Sequence, residues 1–284
     1  MSQATFDVVG IGNAIVDVIS HADDRFLRDN GLEKGAMTLI DAARAEELYG
    51  RMGPGIEMSG GSAGNTMAGI ASLGGRGAYV GKVRDDQLGA VFRHDIRAIG
   101  VSFESSPAIE GAPTARCLIL VTPDAQRTMN TYLGACVELG PEDIQPALIQ
   151  SAAVTYMEGY LWDPPRAKQA FLKAAELAHA GGRKVSLTLS DSFCVGRHRD
   201  SFADLVDNHV DILFGNEHEI MSLYEVEDFD AAVAAVRGRC EVAVLTRSEK
   251  GSVVVTATDT VAVPAEPIER LVDTTGAGDL FASG

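Results

Sequence analysis

The chain has 284 residues, 46% of them hydrophobic and 23% charged, and a formal net charge of −16 at pH 7. That length buries a sizeable core, in one large domain or in one domain with a smaller appendage. So acidic a chain repels a phosphate backbone, which argues against nucleic acid as a partner, and a phosphorylated ligand must be met by local backbone donors or arginines.

The first stretch with chemical content is "VVGIGNAIVD" at 8–17. Gly10 and Gly12 follow a strand, but a dinucleotide fingerprint needs a third glycine where Ile15 stands, and the next residues look extended rather than helical. The stretch is either a plain tight turn or, the reading favoured here, a bend from which Asn13 and Asp17 turn polar groups toward a ligand, because an Asp inside an apolar run needs a partner if buried. Residues 13–41 hold two extended pieces, "AIVDVIS" and "AMTLI", around a short helix-like "DDRFLRDNG", and read as β-hairpin material.

At 60–65, "GGSAGN" sets a Gly-Gly bend before a helix rich in small residues. Ala68, Gly69 and Ala71 allow close helix packing, while Gly61 permits backbone approach and Asn65 falls in the first helical turn. No GxxxxGK[ST] occurs, which excludes a P-loop as the phosphate cradle. Residues 101–135 contain "ARCLILVTPDAQRTMNTYL", two strands joined by a Pro-Asp turn. With 13–41 they are expected to form a small β lid carrying Arg116 and Arg127, leaving 1–12, 42–100 and 136–284 as an α/β core.

From residue 150 strand and helix alternate, which predicts βαβ units and a doubly wound, mostly parallel sheet. Strands are expected over 154–158, 185–189, 211–214 and 242–245. Their polar followers, "GNEHE", "TRSEKG" and "TTGAGD", fall where an open α/β sheet binds ligands, beyond the carboxyl ends of its strands. In "GNEHE", Asn216 fits a helix N-cap, with Glu217 and Glu219 complementing the helix dipole. The same oxygens suit Mg²⁺, whereas the lone His218 does not suit zinc. Ser190, Asp191 and Ser192 lack the GxSxG elbow of a catalytic serine. The chain closes on "DTTGAGDLFASG", a glycine-rich bend entering a helix, whose N-terminus is built to receive an anion and carries Asp279 beside it.

The four cysteines, Cys117, Cys136, Cys194 and Cys240, have no metal spacing and read as free thiols. No run approaches the ~18 apolar residues of a membrane span, and the polar start lacks the pattern of a signal peptide. A cytoplasmic protein without a membrane partner is expected.

Taken together, "GGSAGN" with "GKVRDDQLG", Asn216-x-x-Glu219 and "DTTGAGD" resemble the signatures of the ribokinase-like, phosphofructokinase-B type family of sugar and nucleoside kinases. The resemblance runs the length of the chain. "GNAIVD", "TYLGACVELGPEDI", "EGYLWDPP" and "LSDSF" look most like a bacterial group within it described as adenosine kinases. It implies transfer of the γ-phosphate of ATP to the 5′-hydroxyl of adenosine, or in the alternative to fructose, ribose or a related sugar. A nucleoside- or sugar-binding protein that kept the fold without turnover is a second alternative. By the same resemblance Asp279 is the base, and Gly276, Ala277 and Gly278 are the anion hole. Arg127 is a lid arginine reaching the phosphates; Asn13, Asp17, Gly61 and Asn65 grip the acceptor. Asn216 and Glu219 organise Mg²⁺ through water, Thr246 and Gly251 belong to the nucleotide side, and Asp273 answers to a monovalent-cation position, for K⁺. Leu133, Tyr160 and Trp162 are candidates for the walls of a purine slot, and each suits the core equally. Members continue beyond the last helix, so C-terminal helices are expected to be missing here. A monomer or a lid-mediated homodimer is expected.

Overall fold

The computed structural model describes residues 4–269 and 276–284. The first half runs β1 (Phe6–Ile11), β2 (Ile15–His21), α1 (Asp24–Asp29), β3 (Met37–Leu39), α2 (Ala42–Arg51), β4 (Gly55–Gly60), α3 (Ser62–Ser72), β5 (Gly77–Val80), α4 (Gln87–Ala98), β6 (Ala115–Val121) and β7 (Arg127–Tyr132). The second half runs α5 (Pro146–Ser151), β8 (Ala152–Glu158), α6 (Pro165–Ala180), β9 (Lys184–Thr188), α7 (Ser192–Arg197), α8 (Arg199–His209), β10 (Ile212–Asn216), α9 (Glu217–Tyr224), α10 (Phe229–Val236), β11 (Val242–Thr246), β12 (Ser252–Val255), β13 (Thr260–Val263) and α11 (Ala277–Ser283).

Eight strands form one sheet in the order β13-β12-β11-β10-β9-β8-β1-β5. The six from β11 to β5 are parallel, and β12 and β13 extend it antiparallel. Helices cover both faces, as a parallel sheet requires. On one face α6 buries Ala167, Ala170, Phe171, Ala174, Ala175 and Ala178, the stripe its sequence spacing predicts. That stripe joins a continuous core with strand residues such as Val9, Met157, Leu187 and Leu213. On the other face α3 and α4 pack Met67, Ile70, Phe92 and Ile96 against Tyr79 and Val101.

A second sheet of five strands, in the order β3-β7-β6-β2-β4, stands over the carboxyl edge of the first. The hairpin expected around the Pro-Asp turn is there as β6 and β7, paired from Arg116–Tyr132 to Val121–Arg127. Three details differ from expectation. Residues 13–41 do not form a hairpin: β2 pairs with β4 and β6, while β3 lies at the far edge on β7. β4, from a stretch read as core, is a lid edge strand. Residues 101–114 do not join the lid; Ser102 bonds β5 through Gly77 and Tyr79, because Phe103 stacks with Phe92 at 5.4 Å and with Tyr79 at 5.9 Å.

The terminal helix has a docking partner. α11 lies on α3, and a Cβ at Gly69 would fall 2.3 Å from Ser283 Oγ and 3.2 Å from Leu280 Cδ2, so only a residue without a side chain lets the two helices meet. The small-residue stretch of α3 is the reason α11 can hold position at all.

Candidate active site

The carboxyl edge of the large sheet and the inner face of the lid enclose a cavity of about 610 Å³. Its floor is organised by a residue the sequence did not single out, Glu158, the last residue of β8. The side chain is buried and accepts hydrogen bonds from Asn13 Nδ2 at 2.5 Å, Asn13 N at 3.3 Å and Ala63 N at 2.8 Å. Glu158 therefore ties the turn after β1 to the first turn of α3. Burial pushes its carboxyl up to about 7, although those three donors favour the ionised form. Asn13 gives its amide protons to Glu158, and its Oδ1 has no partner among the described residues. The path of the chain here depends on Gly61, at φ +85°, where a Cβ would lie 2.3 Å from Asn13 O.

The start of α3 faces the start of α11. Ser62 Oγ donates to Asp279 Oδ1 at 2.6 Å, and Asn65 Nδ2 donates to Asp279 Oδ2 at 3.0 Å. Both carboxylate oxygens are thus oriented by α3, which Glu158 holds from below. Gly276, Ala277, Gly278 and Asp279 line the cavity beside them. The first N–H groups of α11 have no acceptor within the helix, which suits an anion.

The lid contributes an apolar ceiling. Ile15, Cys117, Ile119, Met129 and Leu133 line the cavity, and Asp17 is the one charged lid residue among the described lining. Burial raises the Asp17 carboxyl to about 6, partly offset by the positive charge of Arg127. Arg127 has the strand parity of Met129 and Thr131 and so lies on the cavity face of β7, toward its outer end. Arg116 has the opposite parity: it is buried on the back of the lid, bonded to Glu46 and lying over the Tyr49 ring.

Beyond β9, β10 and β11 the sheet edge carries Ser190, Asp191, Asn216, Glu219 and Thr246. Ser190 takes φ +71°, and Tyr160 N donates to its Oγ at 3.1 Å. Asn216 and Glu219 form a capping box: Asn216 Oδ1 accepts from His218 N and Glu219 N, and Glu219 accepts from Asn216 N at 2.9 Å and Nδ2 at 2.6 Å. Burial, with the charge of Asp191, raises Glu219 to about 7. Tyr160 lines the cavity, and burial raises its phenol.

Two candidate residues stand elsewhere. Trp162 is not a cavity wall; it is core, packed between Phe171 and Phe202 with its Nε1 donating to Ser201 Oγ at 2.9 Å. Gly251 belongs to the turn between β11 and β12, outside the cavity lining, where a Cβ would strike Val263 O. Asp273 lies outside the described residues.

The sequence model of the pfkB family carbohydrate kinases matches residues 37–284. The chain belongs to that family. The kinase is 59% identical to the adenosine kinase of Sinorhizobium meliloti, whose crystal structure superposes with a TM-score of 0.90 over 99% of this chain and 86% of that one. It is 56% identical to a probable sugar kinase of Rhizobium etli, with a TM-score of 0.91 over the same shares. An ATP-dependent ribose-1-phosphate kinase of Halopiger xanaduensis is 30% identical over 80% of this chain and 72% of its own length. ATP use follows from the family. Among the described residues no helix is long and apolar enough to cross a membrane.

For this kinase Glu158 is the residue that sequence reading missed. Its partners lie 145 and 95 positions away, so nothing local marked it. The one available signal was an acid ending an otherwise apolar strand, the argument already applied to Asp17.

Proposed function

We propose that the kinase transfers the γ-phosphate of ATP to the 5′-hydroxyl of adenosine. The observation that carries this reading is the division of one cavity: an oriented carboxylate, Asp279, on the sheet edge, and an apolar ceiling on the lid. A purine has a flat apolar face for such a ceiling, and the ribose has hydroxyls for Asp17 and for Asn13 Oδ1, which has no partner among the described residues. The similarity to the Sinorhizobium adenosine kinase supports the same acceptor.

In this reading Asp279 takes the proton of the 5′-hydroxyl as that oxygen bonds to the γ-phosphorus, and the bond from phosphorus to the bridging β,γ oxygen breaks to release ADP. Ser62 and Asn65 hold the carboxylate for that task. The backbone N–H groups of Gly276, Ala277 and Gly278 meet the charge on the transferring group, and Arg127 reaches it from the lid. Such transfer depends on positioning and charge neutralisation more than on covalent chemistry. Thr246 lines the nucleotide side.

The donor set fits Mg²⁺. Glu219 and Asp191 bring carboxylate oxygens to one cavity, and no group of three metal-ligating side chains occurs among the described residues. A hard cation that keeps most of its waters and leans on substrate phosphates needs no more. When bound, Mg²⁺ neutralises charge on the ATP phosphates; Glu219 and Asn216 would hold its waters. K⁺ at Asp273 is an expectation carried by family resemblance alone.

A sugar acceptor is the second reading, favoured by the similarity to the ribose-1-phosphate kinase. ADP release from Mg-ATP with adenosine, ribose and fructose supplied separately decides between them. Turnover with adenosine and little with either sugar is expected; turnover with a sugar alone would overturn the acceptor and keep the chemistry.

A further inference from the structure

The charge balance of the cavity is lopsided. Among the described residues lining it, Asp17, Glu158, Asp163, Asp191, Glu219 and Asp279 are acids and Arg197 is the one cation, with Arg127 on the cavity face of β7 at the outer end of the lid. Arg197, the last residue of α7, is already engaged. Its Nη2 donates to Asp163 Oδ2 at 2.8 Å and its Nε to Asp163 Oδ1 at 3.4 Å. Asp163 follows the short turn after β8, so this ion pair bridges the loops beyond β8 and β9. In the sheet order β8 lies beside β1, and the pair therefore stands on the acceptor side of Asn216 and Thr246.

An exposed ion pair of this kind is weak alone, and the two side chains are 54% and 39% exposed. A second anchor holds Asp163. His198 Nε2 lies 2.5 Å from Asp163 Oδ1, and Lys168 Nζ lies 3.3 Å from His198 Nδ1. An ammonium can only donate, so Nδ1 accepts and Nε2 carries the proton given to Asp163. Lys168 is itself fixed, donating to Ser201 Oγ at 3.3 Å and lying 5.3 Å over the Trp162 ring. Asp163 is thus committed before any ligand arrives.

We propose that Asp163 is a specificity-determining residue that, by occupying Arg197, makes the acceptor site select a neutral acceptor and reject a phosphorylated sugar. The inference rests on the nucleoside reading above and names the feature that enforces it. A sugar phosphate is held best by a guanidinium fork free to bind two of its oxygens. Here that fork faces a carboxylate of the protein itself, and an entering phosphate also meets an acid-rich wall. Rejection built from like charge and an unavailable donor is how a site separates ligands that share a common part. In the reading above the phosphates of ATP are met by the backbone N–H groups at the start of α11, and Mg²⁺ would offset Asp191 and Glu219 there.

The test compares kcat/KM for ribose 1-phosphate and for adenosine in the full chain and in Asp163→Asn, Arg197→Gln and the double variant. Freeing Arg197 in Asp163→Asn is expected to raise the ratio of ribose 1-phosphate to adenosine about tenfold, equivalent to about 1.4 kcal/mol, and the double variant is expected to lose the gain. In Arg197→Gln alone the ratio is expected to stay within about twofold, since the guanidinium was not serving a ligand. An unchanged ratio in Asp163→Asn overturns the proposal. So does a tenfold fall in Arg197→Gln, which also decides the matter if Asp163→Asn does not fold. Wild-type turnover of ribose but not adenosine would instead overturn the nucleoside reading, and the ratio is then taken against ribose.

Discussion

The two sheets make unlike contributions to one cavity. The edge of the eight-stranded sheet supplies nearly all the polar chemistry, and each group there is fixed by another: Glu158 by Asn13 and Ala63, Asp279 by Ser62 and Asn65, Glu219 by Asn216. The five-stranded lid supplies shape. Apart from Asp17 and Thr131, and Arg127 at its outer end, it turns Ile15, Cys117, Ile119, Met129 and Leu133 inward. Hydrogen-bonded groups tolerate little displacement, whereas apolar contacts grade smoothly with area. The expectation follows that damage to the sheet edge lowers kcat, and damage to the lid raises KM.

The largest effect is expected at Asp279. Asp279→Asn should lower kcat about 10³-fold, the usual scale for a lost general base, while calorimetry finds adenosine still bound; a fall below tenfold would remove Asp279 from the chemistry. Next comes a residue that touches no ligand. Gly69→Val pushes α11 off α3, and because a misplacement of about 1 Å can cost 10²-fold, kcat should fall by about that factor. Wild-type kcat in a folded Gly69→Val protein would show that the α3–α11 contact does not position Asp279. Glu219→Gln should raise the Mg²⁺ concentration for half-maximal rate about tenfold, the effect of losing an outer-shell partner; an unmoved magnesium titration would contradict the role given to the capping box. On the lid, Leu133→Ala should raise KM for adenosine about fivefold with kcat nearly intact, as expected for a few methylenes of pocket contact. A matching loss in kcat would break the division between the two sheets.

The smallest effect is on pH dependence of stability. The Glu158 carboxyl is raised from 4.5 to about 7 in the folded protein, so the native state holds this proton more tightly than the unfolded chain does. The resulting stabilisation is complete below about pH 4.5 and is lost as pH rises through 7, on the order of 1–3 kcal/mol. Asp17 and Glu219, also raised, act in the same direction. The thermal midpoint of the wild type relative to Glu158→Gln should therefore fall between pH 5 and 7.5; a flat difference would mean Glu158 is ionised throughout.

Much of the sheet edge was legible because strand-end polar motifs are local: "GGSAGN", "GNEHE" and "GAGD" each announce a turn, a cap or an anion-receiving bend within a few residues. What escaped reading depends on distance or on register. Glu158 meets its partners only through folding, and β4 joins the lid because Ile15–Ser20 pairs with it, a choice its six residues do not reveal. The two lid arginines were separable by parity alone once β6 was paired with β7, since Arg127 shares its face with Met129 and Arg116 does not. Trp162 stayed open because an aromatic beside a strand end suits a slot and a core equally; the packing of Phe171 and Phe202 decided for the core.

The most direct test of the central claim is identification of the product formed from Mg-ATP with adenosine and, in parallel, with 5′-deoxyadenosine. Adenosine should yield AMP phosphorylated at the 5′ position with matching ADP, and 5′-deoxyadenosine should bind without turnover. Phosphorylation of the deoxy compound, or an inert adenosine beside an active sugar, would contradict transfer to the 5′-hydroxyl of a nucleoside.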